Sequence, residues 1–126
     1  MRGQLLHRVG DLVTERVVEI TPTATLRQAA ELMTDERVGV LMVRRPDVVV
    51  GLLGERDIVR ALSDGLDPDD ERVGDHMADQ LVGVRSDASL VEALDAMRLA
   101  EVRHVVVDEG RGVLSMRRVV EHLLAE

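Results

Sequence analysis

The chain contains no phenylalanine, tyrosine or tryptophan, so its hydrophobic core must be aliphatic. Hydrophobic residues still make up 45% of the 126 residues, which is enough for a core and too many for a disordered chain. Base stacking on aromatic rings is a common way to hold single-stranded nucleic acid, and that route is absent. The formal net charge of −8 gives a phosphate backbone no general attraction. We therefore predict no nucleic-acid partner.

Cysteine is also missing, which excludes disulfides, a thiol nucleophile and a cysteine-ligated metal. The four histidines are scattered, without the spacing typical of a metal site. No apolar run approaches the roughly 20 residues of a membrane span or resembles a signal peptide. The sequence contains no P-loop, nucleophile elbow or dinucleotide fingerprint. These absences predict a cytoplasmic protein with no membrane partner, no metal site and no catalytic residues.

The sequence repeats itself. Val9-Gly10-Asp11 returns 64 residues later as Val73-Gly74-Asp75, and Gly51-Leu52-Leu53 returns at an offset of 61 as Gly112-Val113-Leu114. A unit of about 60 residues is small for an independent core, so the two halves are expected to pack together. We predict an N-terminal segment and first repeat over residues 1–64, an acidic linker over 65–72, and a second repeat over 73–126.

Each repeat predicts the same order of elements, β-α-β-β-α, from its hydrophobic periodicity and its turn residues. Capping boxes at Thr25/Gln28 and Ser89/Glu92 mark the start of the first helix in each half. The elements predicted for the first half are strand Val17–Ile20, helix 26–36, strand Val38–Val43, a turn at 44–47, strand Val48–Leu53 and helix Glu55–Ser63. Those predicted for the second half are strand Val82–Val84, a helix from Leu90, strands His104–Val107 and Gly112–Leu114, and helix Met116–Leu124. The fold class is α/β (α+β).

The segment Gly-Leu-Leu-Gly-Glu-Arg-Asp-Ile-Val, residues 51–59, leads from an apolar hairpin into a helix and resembles a CBS domain. Two such units resemble a CBS pair, or Bateman module, in which tandem β-α-β-β-α repeats pack with pseudo-twofold symmetry. The resemblance implies a regulatory module that binds an adenine nucleotide (AMP, ADP or ATP) or a related adenosyl ligand in the cleft between the repeats. It also implies a homodimer that signals to an effector protein, requires no cofactor and is not an enzyme.

The resemblance assigns ligand contacts to the start of the second helix of each repeat. Asp57 stands where the family's aspartate accepts hydrogen bonds from ribose, and Gly54 stands where the family often has serine or threonine. In the second repeat Ser115 keeps the hydroxyl, but Arg118 replaces the aspartate. Asp57 and Ser115 also have a simpler explanation, because a carboxylate or a hydroxyl at the start of a helix is a natural cap. Arg118 is unfavourable to the helix dipole and either points into solvent or faces an anion.

Arg103 and His104 form a basic pair before a predicted strand, where nucleotide-sensing relatives carry residues that approach phosphate. Strand alternation would place them on opposite faces, so one of them is expected to meet the ligand. The alternative for Arg103 is a surface ion pair with Glu101 or Asp108. Base recognition would fall to aliphatic side chains, most of which must also be core: Val17, Ile20, Val38, Val40, Val82, Val84 and Val102.

The helices that close the two repeats have apolar faces broader than one core contact needs. These residues are Ile58, Val59 and Leu62 in the first repeat, and Val119, Val120, Leu123 and Leu124 in the second. We interpret the surplus as a dimer interface, the alternative being a wide core stripe. The incomplete motifs also leave open a second function, a scaffold or protein-interaction module whose nucleotide sites have degenerated.

Overall fold

The computed structural model describes residue 3, residues 6–12 and residues 16–125. The chain divides into two compact units. The first, here called the N-repeat unit, is Val17–Leu81; the second, the C-repeat unit, combines Met1–Arg16 with Val82–Glu126. The units in space therefore differ from the repeats in the sequence. The segment up to residue 16, which leads into the first repeat, belongs to the C-repeat unit, and residues 73–81, which lead into the second repeat, belong to the N-repeat unit. We call these two stretches the lead-in segments. None of the helices in the described ranges is long and apolar enough to span a bilayer.

Each unit contains one three-stranded sheet and two main helices, which confirms the predicted fold class. In chain order the elements are α1 (Val9–Leu12), β1 (Glu19–Ile20), α2 (Leu26–Glu36), β2 (Val40–Arg45), β3 (Val48–Gly54), α3 (Glu55–Ser63), β4 (Gly83–Val84), α4 (Leu90–Ala100), β5 (His104–Val107), β6 (Gly112–Ser115) and α5 (Met116–Leu124). The sheet orders are β1-β2-β3 and β4-β5-β6. In both sheets the first pair of strands is parallel and the second pair is an antiparallel hairpin.

Helices α2, α3 and α5 have their predicted bounds, whereas most strand bounds differ from the prediction. Strand β4 begins at Gly83 and not at Val82, and β3 and β6 each end one residue later than predicted. Strand β1 is two residues long, shorter than predicted. Strand β2 begins at Val40 because the Val38 N–H instead closes the end of α2 by bonding the Met33 carbonyl at 3.0 Å. It also continues past a register shift between Val43 and Arg44, so the predicted turn shrinks to residues 46–47.

Side-chain caps explain where α2 and α4 begin. At α2 both bonds are present, with the Gln28 N–H donating to Thr25 Oγ1 at 3.1 Å and the Thr25 N–H donating to Gln28 Oε1 at 2.9 Å. At α4 the Glu92 N–H donates to Ser89 Oγ at 3.2 Å, so the serine caps the helix, but the reciprocal bond from the Glu92 side chain that a capping box requires is not found among the described residues. The cap geometry fixes the chain direction into each helix, and thereby the position of the sheet that follows.

The two lead-in segments have equivalent contacts in opposite units. The Val9 N–H donates to the Ala88 carbonyl at 2.8 Å, and 64 residues on the Val73 N–H donates to the Ala24 carbonyl at 2.8 Å. Val9 and Val73 are fully buried and belong to the cores of the C-repeat and N-repeat units respectively. Each core is thus completed by a residue from the opposite sequence repeat.

Helices α2 and α4 both end at a non-glycine residue in the left-handed conformation, Arg37 with φ 58° and Glu101 with φ 56°. That conformation costs a residue with a Cβ about 1–2 kcal/mol, a strain that glycine would relieve. Glycine also loses more conformational freedom on folding, which cancels about 0.5–1 kcal/mol of that gain. We expect Arg37→Gly and Glu101→Gly each to raise the free energy of unfolding by about 0.5–1 kcal/mol, measured by urea denaturation. Alanine at either position should bring no gain. A glycine variant less stable than its alanine counterpart would contradict this account.

Candidate functional site

In the N-repeat unit, the candidate residues lie where the β2–β3 hairpin meets the start of α3. We call this group, comprising Gly54, Glu55 and Asp57, the carboxylate edge. The Gly54 N–H donates to Asp57 Oδ2 at 2.8 Å, so the carboxylate caps the helix as the simpler explanation requires. The cap occupies one carboxylate oxygen, and no hydrogen bond to Oδ1 is found among the described residues. Asp57 is half-buried and retains capacity to accept from a ligand.

A second carboxylate lies at this edge. A Cβ built on Gly39 would meet Glu55 Oε1 at 3.0 Å, so the Glu55 side chain covers Gly39. The Glu55 N–H also donates to the Gly39 carbonyl at 3.1 Å. Sequence analysis did not single out Glu55, because nothing in the chain order shows that its side chain folds back over residue 39. With Glu55 and Asp57 both present, the carboxylate edge favours hydroxyl donors and disfavours a phosphate.

The equivalent place in the C-repeat unit carries the opposite charge. We call Arg103, Ser115 and Arg118 the arginine edge. The Met116 N–H donates to the Arg103 carbonyl at 2.8 Å, which is the counterpart of the Glu55–Gly39 bond. The Arg118 N–H donates to Ser115 Oγ at 3.0 Å, so the serine caps α5 as expected. Backbone pairing thus brings Arg103 beside the start of the helix that carries Arg118.

Neither arginine of this edge forms an ion pair with a described residue. Among the residues that the structure describes, no carboxylate lies within ion-pair distance of Arg103 or Arg118. The proposed Arg103 pair with Asp108 is therefore not formed. Asp108 Oδ1 instead accepts the Ser86 backbone N–H at 2.9 Å, which lowers the pKa of the Asp108 carboxyl below its usual range. Arg103 is exposed and Arg118 is half-buried, so both guanidinium groups can meet an anion.

His104 pairs with Ser115 across the β5–β6 hairpin and is half-buried. Arg103 is exposed and precedes β5, so strand alternation does not apply to it, and which member of the basic pair meets a ligand stays a prediction. The aliphatic candidates lie at the margins of the two cores. Ile20 and Val38 pack against the core of the N-repeat unit, and Val102 packs against that of the C-repeat unit, each remaining partly exposed. Their core role is established, and a base contact remains a prediction.

The comparisons with known proteins agree with this geometry. The family model described as CBS domain matches residues 9–64 and again residues 73–125, so the chain belongs to the CBS domain family and carries a tandem pair. Hypoxic response protein 1 of Mycobacterium tuberculosis is 32% identical over 118 residues, which cover 90% of this chain and 82% of that protein. Its crystal structure, described with two coordinated zinc ions, has a TM-score of 0.70 at 28% identity and covers 91% of this chain and 98% of that one.

Two further solved structures have the same fold. A CBS domain protein from Pyrobaculum aerophilum, complexed with AMP, is 30% identical and covers 94% of this chain and 99% of its own, with a TM-score of 0.73. A CBS-domain containing protein from Agrobacterium tumefaciens is 29% identical with a TM-score of 0.80, covering 93% of this chain and 98% of its own. The fold is therefore that of stand-alone CBS pairs.

Proposed function

We propose that this CBS pair is a non-catalytic sensor that binds an adenine nucleotide or a related adenosyl ligand and signals to a partner protein. The observation that carries the proposal is the arginine edge, where two arginines without carboxylate partners among the described residues lie at the serine-capped start of α5. Exposed amides at a helix start together with arginines form a favourable site for phosphate. The AMP complex of the Pyrobaculum aerophilum protein supports a nucleotide as the ligand class.

The two edges suit different parts of an adenosyl ligand, each within its own unit. A carboxylate can accept hydrogen bonds from vicinal ribose hydroxyls, which suits the free Oδ1 of Asp57. Phosphate suits Arg103, Arg118 and Ser115, and is disfavoured beside Glu55. Ile20, Val38 and Val102 would offer apolar surface to the base, while Gly54 and His104 border the two sites. The module is therefore asymmetric, with sugar recognition at one edge and phosphate recognition at the other.

The outer faces of α3 and α5 support a homodimer as the assembled form. On α3, Val59 and Leu62 are 61% and 50% exposed, although Ile58 on the same helix is buried. On α5, Val120 and Leu124 are 43% and 67% exposed. Apolar side chains that remain exposed after each core is complete are typical of surfaces that bind another protein. A ligand would signal through such an assembly only by binding one arrangement more tightly than another.

Asp57→Asn and Asp57→Ala separate sugar recognition from helix capping. Asparagine keeps an oxygen acceptor for the Gly54 N–H but loses the charge, whereas alanine loses both. If Asp57 holds ribose, Asp57→Asn should bind adenosine about fivefold more weakly, since a charged hydrogen bond exceeds a neutral one by about 1 kcal/mol. Only Ala should also lose about 1 kcal/mol of stability. Isothermal titration and urea denaturation measure the two effects.

Asp47→Asn, in the exposed β2–β3 turn, is the matched control for loss of a carboxylate. It should change neither adenosine affinity nor stability. Wild-type affinity in Asp57→Asn, or an equal loss in Asp47→Asn, would contradict ribose recognition by Asp57. Failure of the wild type to bind any adenosyl compound would favour the ligand-independent interaction module.

A further inference from the structure

Two histidines that lie 115 positions apart in the sequence meet in the C-repeat unit. Nδ1 of His7 and Nε2 of His122 are 3.2 Å apart, and the ring centroids are 5.4 Å apart. One neutral imidazole can donate to the other at this distance. The same separation also places two nitrogen donors within reach of one ion.

The backbone on both sides of the pair is held by the core. The His7 carbonyl accepts the Leu90 N–H at 2.9 Å, which ties residue 7 to the start of α4. His122 lies on α5, whose Val119 is fully buried. His7 is exposed and His122 is half-buried, so an ion can approach from solvent. The two imidazoles are therefore positioned by folding, before any ion binds.

The spacing fits a tetrahedral metal centre. With zinc–nitrogen bonds of about 2.0–2.1 Å, two tetrahedral imidazole ligands have nitrogens about 3.3–3.4 Å apart. The observed 3.2 Å is close to this separation, and the rings must rotate so that both lone pairs turn from each other toward a common ion. Imidazole is a preferred ligand of zinc and of neighbouring late transition metals. The pair thus has both the donor type and the separation for such an ion.

We propose that His7 and His122 chelate one divalent ion of the zinc class, and that the ion fastens residue 7 to α5 in the C-repeat unit. Within the described ranges no group of three or more histidine, aspartate or glutamate side chains is placed to hold an ion, so the proposal assigns two ligands, His7 and His122. At the corresponding repeat positions the N-repeat unit has Glu71 and Ala61, so the site occurs once per chain. An ion that binds only the folded unit stabilises it in proportion to its concentration.

Isothermal titration of the full chain with zinc chloride tests the proposal, using wild type, His7→Gln, His122→Gln and His76→Gln. His76 is the matched control, because its Nε2 lies 2.7 Å from Glu71 Oε1 in the other unit. We expect one zinc per chain in the wild type and in His76→Gln. Loss of an outer partner alone weakens metal sites roughly 10–100-fold, so loss of either ligand should weaken binding by roughly tenfold or more.

The imidazole Hε1 resonances of the wild type provide a readout that needs no variant. Zinc should shift two of the four histidine signals and leave those of His76 and His104 unchanged. The proposal is overturned if the wild type binds no zinc at millimolar concentration, if His7→Gln or His122→Gln keeps wild-type affinity, or if zinc shifts the His76 or His104 signal instead.

Discussion

Arg118→Ala should lower the affinity for ATP by roughly 10–100-fold while leaving the affinity for adenosine within about twofold of wild type. The Arg118 guanidinium forms no salt bridge with a described residue, so its removal breaks none of the salt bridges among them. A hydrogen bond to a charged group contributes about 1.5–3 kcal/mol, which sets the size of the loss for a phosphate ligand. Adenosine has no phosphate and should not sense the change. Titration with both ligands measures the ratio.

Arg117→Ala is the matched control, because it removes the same charge one residue away. Arg117 is exposed and pairs with Glu121 at 3.1 Å along the helix surface. Its removal should leave ATP affinity within about twofold of wild type. Arg118→Ala should not lose stability, because a cation in the first turn of α5 opposes the helix dipole. If ATP and adenosine weaken equally, or if Arg117→Ala weakens ATP as much, Arg118 does not bind phosphate.

Leu12→Ala should destabilise the C-repeat unit by about 2–5 kcal/mol, although Leu12 lies in the segment that opens the first sequence repeat. Its side chain is 2% exposed and packs in the cluster that contains Leu90, Met97 and Leu114. The substitution leaves a cavity that the surrounding core can only partly fill. Amide hydrogen exchange should therefore accelerate most in residues 82–124, with less change in residues 17–81.

Val73→Ala is the reciprocal variant. Val73 is fully buried in the core of the N-repeat unit, although it opens the second sequence repeat. Hydrogen exchange should accelerate most in residues 17–81. If hydrogen exchange instead accelerated most in the sequence repeat that carries the substitution, the assignment of each lead-in segment to the core of the other repeat would be wrong.

The sequence predicted the repeated elements well because the periodicity and the caps are local signals. Thr25 and Gln28 lie three residues apart, and the bonds between them form as that spacing requires. The offset of 64 also identified the lead-in segments as equivalent, but a comparison of the chain with itself cannot show which core each segment completes. That depends on the Val9–Ala88 and Val73–Ala24 contacts, which are tertiary.

The candidate site was predictable to the level of residue type and helix position. Asp57 and Ser115 cap their helices as the sequence indicated, and the backbone bond from Met116 to Arg103 brings residue 103 to the start of α5. Glu55 was missed because its position over Gly39 depends on side-chain direction. The His7–His122 contact was missed because no local pattern connects residues 115 positions apart.

Equilibrium dialysis of the purified protein against adenosine, AMP, ADP and ATP tests the central claim most directly. The chain has no tryptophan, tyrosine or phenylalanine, so absorbance near 260 nm reports the nucleotide almost alone. The account predicts saturable binding of at least one adenine nucleotide, tighter than adenosine, and weakened by Arg118→Ala but not by Arg117→Ala. A flat baseline with all four compounds, from protein shown to be folded by circular dichroism, would contradict the nucleotide-sensor function.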